Sequence, residues 1–223
     1  MKAFLAAGAA AAIAFSAPAI SAELVTNGSF ETGNLSGWTY ANVGGGTAPV
    51  VIAYNQAGNY PVGAFGEAIP TDVGGGNYAV YFSSDTANPD SLSQMVNVVA
   101  GQTYDLSFDY YVPQNGYNNP YDASLSFLID GVQAGSTLTT GSPGGNTPPK
   151  TWEHFATTYT AATTGAVDLS LQFHGLGSTA ADFAVDKVSM TAVPEPATWA
   201  MMILGLGVIG VSARRRRVEP SFA

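Results

Sequence analysis

Between Glu23 and Val193 apolar residues recur at every second position, the period of a strand with one buried face. Tyr104, Leu106, Phe108, Tyr110 and Val112 share one face, and Asp105, Ser107, Asp109 and Tyr111 the other. Leu125, Phe127 and Ile129 alternate with Ser124, Ser126, Leu128 and Asp130, and Val167, Leu169, Leu171 and Phe173 with Asp168, Ser170, Gln172 and His174. No stretch of this region sustains the 3.6-residue period of a helix. Turn signals part the runs: Gly74-Gly75-Gly76-Asn77, Ala100-Gly101-Gln102, Asp130-Gly131, Gly144-Gly145-Asn146 and Thr164-Gly165. Seven to nine short strands, each apolar on one side, bury those sides only by packing sheet on sheet. The expected fold is all-β: a two-sheet antiparallel β-sandwich, a jelly roll, with Trp38 in its core.

Both ends break this pattern. Met1-Lys2 precedes an apolar run from Ala3 to Phe15, followed by small residues at Ala17-Pro18-Ala19 and Ile20-Ser21-Ala22, either of which suits a signal peptidase. Residues 1–22 therefore read as a secretory signal helix and residues 23–193 as the working domain. At the other end Pro194-Glu195-Pro196 leads into an uncharged run of small and apolar residues, then Arg214, Arg215, Arg216 and Arg217. The expectation is a single transmembrane helix within 194–217 and a short cytoplasmic tail, 218–223. A helix of about 16 residues is only about 24 Å long, so Trp199 and the arginines must make up the span. Arginines held inside place the domain outside, as the signal does. Gly205-Leu206-Gly207-Val208-Ile209-Gly210 matches a dinucleotide-binding pattern, but it lacks the strand before it and the acidic residue after it.

Removing the ends sharpens the charge. The whole chain is at −9, but the domain keeps only Lys150 and Lys187 against fourteen acidic residues, near −12. Such a surface repels nucleic acid and anionic lipid, and suits neutral polymers and divalent cations. There is no cysteine, which excludes disulfides, thiol catalysis and cysteine-ligated metals.

The order Pro-Glu-Pro, apolar helix and arginine cluster resembles the PEP-CTERM sorting signal of Gram-negative bacteria. That implies an exported protein, held transiently in the inner membrane by its C-terminal helix. An exosortase-type transpeptidase would then pass it to the cell surface or extracellular matrix, in association with exopolysaccharide and biofilm. Leu24-Val25-Thr26-Asn27-Gly28-Ser29-Phe30-Glu31 with Gly37-Trp38 resembles the opening of family 4/22-type carbohydrate-binding modules and related galactose-binding-like jelly rolls. Ser93 to Val98 with Gly101 to Phe108 does so too, and Phe183 to Met190 resembles their last strand.

That resemblance implies structural calcium, on Glu31 and Asp186, with Asn77 as a further oxygen donor. Calcium takes six to eight oxygens, and Asp186 stands among apolar neighbours where a bare carboxylate is costly. It also implies a non-catalytic module binding extracellular polysaccharide. Candidate ligand residues are Tyr111, Tyr117 and Tyr121, offering faces to sugar rings, with Asp109, Gln172 and His174 for hydroxyls. A purely structural or adhesive matrix protein without a sugar pocket is the alternative. A secreted glycoside hydrolase needs two carboxylates across a cleft, for which Asp109 and Glu153 are the available pair. His154 and His174 lack metal-ligand spacing, and no serine sits in a nucleophile elbow.

Overall fold

A computed structural model describes residues 21–42, 47–55, 69–71, 75–83, 88–113, 118–119, 121–141, 150–175, 182–194 and 196–215. The signal segment before Ser21, and Tyr117, Glu195, Arg216, Arg217 and the 218–223 tail, lie outside the described residues.

Among the described residues eleven strands form two sheets: β1 (Thr39–Asn42), β2 (Val50–Ala53), β3 (Tyr78–Ser83), β4 (Asp90–Val98), β5 (Thr103–Tyr111), β6 (Ala123–Ile129), β7 (Val132–Gln133), β8 (Leu138–Thr139), β9 (Trp152–Thr160), β10 (Gly165–Gly175) and β11 (Asp182–Ala192). One sheet runs β1-β4-β10-β6-β7, with β8 also on β6; the other runs β2-β3-β11-β5-β9. Every pairing is antiparallel. The fold is the expected all-β two-sheet sandwich. The strand number exceeds expectation partly because β7 and β8 are two-residue strands, too short to show a period. β6 and β7 are joined by Asp130-Gly131, both at positive φ (50° and 75°), the conformation a two-residue hairpin requires.

The alternation read from sequence sorts the strands correctly. Leu92, Val96, Leu125, Phe127, Leu169, Leu171 and Phe173 from one sheet meet Leu106, Phe108, Phe155, Phe183, Val185 and Met190 from the other in a single buried cluster. Phe108 stacks on Phe155 at 4.7 Å between ring centroids and meets Phe127 edge-on, tying both sheets together. Trp38 is buried here, stacked on Phe30, and its indole N–H donates to the Asn27 carbonyl at 3.1 Å. All of this core comes from residues 22–193, a compact unit that supplies its own interior.

Two local departures from regular pairing shape the sheet containing β11. Its register with β5 shifts between Asp186 and Ser189, a bulge in which Lys187 has φ +51°. Opposite it, Gly28 lies so close to β11 that an added Cβ would stand 1.9 Å from the Val188 carbonyl oxygen.

In the second unit Pro196–Arg215 forms helix α1, with Ile203, Leu204, Leu206, Val208 and Val211 exposed. Gly205, Gly207 and Gly210 lie mid-helix, not at a strand-to-helix turn, which ends the nucleotide reading. Among the described residues no helix is long and apolar enough to cross a membrane. The transmembrane helix expected from the tail is therefore not among the elements seen.

Candidate functional site

The outward face of the β2-β3-β11-β5-β9 sheet carries the molecule's densest chemistry. Register sets Ala184, Tyr111 and Trp152 side by side on β11, β5 and β9, and next to them Asp186, Asp109 and His154. Asp109 Oδ1 is 2.7 Å from His154 Nδ1, and Asp109 Oδ2 is 3.7 Å from the ammonium of Lys187, which the bulge brings to this face. His154 is 62% exposed and Asp109 20%, so the pair is presented to solvent while its members hold each other in place. A groove of about 400 Å³ continues from His154 along β5 and β9, past Asp105, Ser107, Ala156 and Thr158.

Beside this polar row lies a second apolar cluster: Ile52, Tyr54, Ile69, Ala79, Tyr81, Tyr111 and Ala184, with Trp152 packed against it. Tyr111, expected to meet a sugar, is only 3% exposed. The chain leaving β2 accounts for this. Asn55 N–H donates to the Ile69 carbonyl at 2.8 Å, Trp152 indole N–H donates to the Pro70 carbonyl at 2.7 Å, and Ile69 is fully buried over the sheet. Trp152 is partly exposed, and its ring packs on those of Tyr54 and Tyr111 at 5.8 and 5.7 Å between centroids.

The other candidates are not brought together. Gln172 and His174 bond each other at 3.1 Å on β10, in the opposite sheet from Asp109 and Tyr111, so no single sugar contacts all four. Tyr121 is 59% exposed just before β6, at the edge of that opposite sheet. Asp109 and Glu153 occupy adjacent rungs of β5 and β9, where alternation sends side chains to opposite faces; they flank no common cleft. Glu153 instead stands near Tyr110, whose hydroxyl is pushed above its ordinary pKa by burial and then by that carboxylate.

Glu31 and Asp186 do converge, around Gly76. A Cβ on Gly76 would stand 3.0 Å from Glu31 Oε1, 3.5 Å from the Tyr54 ring and 3.9 Å from Asp186 Oδ2, so the absent side chain leaves a cradle between two carboxylates. Gly76 has φ +130°, which suits glycine alone. Asp186 is 1% exposed; Tyr54 hydroxyl donates to its Oδ2 and the Lys187 N–H to its Oδ1, both at 2.6 Å. Asn77 holds Glu31: its N–H and side-chain amide donate to that carboxylate at 2.7 and 2.9 Å, and its backbone carbonyl accepts from Tyr54 N–H. Among the described residues no three acidic or histidine side chains group as metal ligands. A cation here would take two carboxylates and complete its shell with carbonyls and water, a set that fits calcium.

Burial alone would raise the Glu31 pKa. The hydrogen bonds from Asn77 N–H, the Asn77 amide and Tyr78 N–H outweigh it and hold the carboxyl below its ordinary 4.5. Unfolding removes those bonds, so their stabilisation is complete above the ordinary value and is lost as pH falls through the lower folded one. Glu31→Gln is expected to flatten the drop in thermal midpoint below pH 4.5; an acid limb identical to wild type would contradict this account.

From sequence, Trp152 and Tyr54 are candidate aromatics in separate loops; what sequence reasoning missed is that they share one face with His154 and Lys187. One signal was readable: Val185 and Val188 are both interior though three residues apart, which only a bulge permits.

Comparison with known proteins agrees with the fold. TmCBM61, solved in complex with β-1,4-galactotriose, is 19% identical over 78% of this chain and 100% of that one, with a TM-score of 0.52. The apo form of a cyclase from Fischerella sp. is 14% identical over 78% and 97%, with a TM-score of 0.54. The CBM22-1 xylan-binding domain of Paenibacillus barcinonensis Xyn10C is 18% identical over 80% and 99%, at 0.48. The first two, at these identities, show the jelly-roll fold and no more. No curated protein matches the chain in sequence. The model of the PEP-CTERM protein-sorting motif matches residues 192–217, and that of the carbohydrate binding domain matches residues 22–179, most of the chain. The chain therefore belongs to the carbohydrate binding domain family and ends in a PEP-CTERM sorting motif.

Proposed function

We propose that this is an exported, non-catalytic glycan-binding protein that receives its sugar on the outward face of the β2-β3-β11-β5-β9 sheet. The observation that carries this reading is the neighbouring of a partly exposed, rigidly packed Trp152 with the solvent-presented His154–Asp109 pair at the head of a groove. An indole face stacks on a sugar ring, while a preorganised imidazole–carboxylate pair exchanges hydrogen bonds with its hydroxyls. Asp105 in the groove and the acidic balance of the domain favour neutral over anionic sugars. An exosortase-type enzyme would process the tail near Pro194-Glu195-Pro196 and deliver the domain to the surface or matrix, where exopolysaccharide is the natural ligand. Helix α1 and its arginines would serve that step at the inner membrane. Calcium between Glu31 and Asp186 would brace the same sheet.

A glycan array followed by titration of residues 22–193 tests the site. Trp152→Ala is expected to weaken binding by about 10-fold, since withdrawing roughly 60 Å² of indole face from water contributes about 1.5 kcal/mol, and His154→Ala to weaken it less. Tyr121→Ala and Gln172→Ala, on the other sheet, are expected to bind as wild type; loss there with Trp152→Ala intact would move the site. The burial of Tyr111 favours one other reading, a structural matrix protein without a sugar pocket, which absence of binding across the array would select.

A further inference from the structure

Tyr54 stands between the Glu31–Asp186 cradle and Trp152. It is buried, yet its contacts reach several different places. Its N–H donates to the carbonyl of Asn77, the residue that holds Glu31. Its hydroxyl donates to Asp186 Oδ2 at 2.6 Å. Its ring meets Trp152 edge-on, 5.8 Å between centroids and 79° between planes. The same ring also forms one wall of the cradle over Gly76.

We propose that Tyr54 is a positioning residue that couples a divalent cation held by Glu31 and Asp186 to the placement of Trp152. The cause rests on the cation reading of the cradle, and the consequence on the sugar-binding reading of the sheet face. A hydrogen bond from outside the ligand set fixes which way a carboxylate presents its oxygens, and its loss weakens metal binding about 10–100-fold. The coupling follows from geometry. A cation drawing on Asp186 Oδ2 shifts the oxygen to which the phenol is bound, and the phenol ring cannot follow without moving against the indole. Trp152 is also tethered at its far end to Pro70, so displacement at Tyr54 becomes rotation of the indole about that anchor. By linkage, whatever factor the cation adds to sugar affinity at Trp152, bound sugar would add to cation affinity.

Calcium chloride titrated into calcium-stripped residues 22–193 tests the coupling without any sugar, by calorimetry and tryptophan emission together. This unit contains Trp38, buried in the core, and Trp152, so Trp152→Phe identifies the reporter. Wild type is expected to bind calcium with a change in emission that Trp152→Phe abolishes. Tyr54→Phe, which keeps the ring and loses the hydroxyl, is expected to bind calcium about 10–100-fold more weakly and at saturation to leave the emission unmoved. Wild-type affinity in Tyr54→Phe, or calcium bound to wild type without any change in Trp152 emission, would overturn the proposal. Absence of calcium binding to wild type overturns it together with the cation reading; the sugar titration above then judges the glycan reading separately.

Discussion

Gly28→Ala is expected to lower the thermal midpoint of the domain by roughly 8–16 °C, an effect of about 4 kcal/mol at the 2–4 °C per kcal/mol usual for this size. The added methyl would stand 1.9 Å from the Val188 carbonyl oxygen, and that neighbour is backbone, unable to swing aside. The two chains are also bonded there, Val188 N–H donating to the Gly28 carbonyl at 2.9 Å. Relief therefore means breaking that bond and displacing β11 next to its bulge, with Asp186 and Lys187 carried along. Ordinary overpacking costs about 1–3 kcal/mol, and this contact offers fewer ways to relax. Circular-dichroism melts of the two proteins decide it: a fall below about 2 °C would show that the Gly28 turn simply lifts away.

Phe108→Ala comes next, at about 3–5 kcal/mol, the usual cost of emptying a buried aromatic site. Phe108 is essentially inaccessible, stacks on Phe155 and meets Phe127 and Tyr110 edge-on. Those partners come from β9, β6 and β5, so both sheets line the cavity and neither can close it alone. Phe108→Leu keeps most of the volume and is expected to lose about half as much or less. Urea denaturation gives both values; a loss under about 1 kcal/mol for the alanine variant would mean the sandwich collapses to fill the space.

How much of this was legible in the sequence depended on whether the information was local. The interior of β5 and β10 could be read directly, because alternation is a property of consecutive residues: Leu106, Phe108, Leu169 and Phe173 are all inside. The same period places Gln172 and His174 on an outward face, but it does not say which sheet that face belongs to. Sheet membership depends on pairings across many residues, and here it separates them from Asp109 and Tyr111. Tyr111 was misread for a related reason. Its outward position on the strand is correct, yet Ile69 and Pro70, from some forty residues earlier, cover its surroundings. Glu31 and Asp186 were picked out through a family resemblance. Nothing within either segment announces that they face each other across a glycine.

The bridge between Glu23 and Thr191 sets the domain's first and last residues against each other at one end of β11. Leu24 N–H donates to the Met190 carbonyl beside it, and Val193 N–H donates to the Thr103 carbonyl just before Pro194-Glu195-Pro196. β11 is no edge strand; it lies between β3 and β5. A protein tethered through its C-terminus and dragged by whatever its other face has caught would transmit that load along β11. The strand would have to slide past two neighbours at once, breaking many hydrogen bonds together instead of peeling them singly. Under the proposed reading, loading in shear would put the mechanical strength of the domain at its point of attachment.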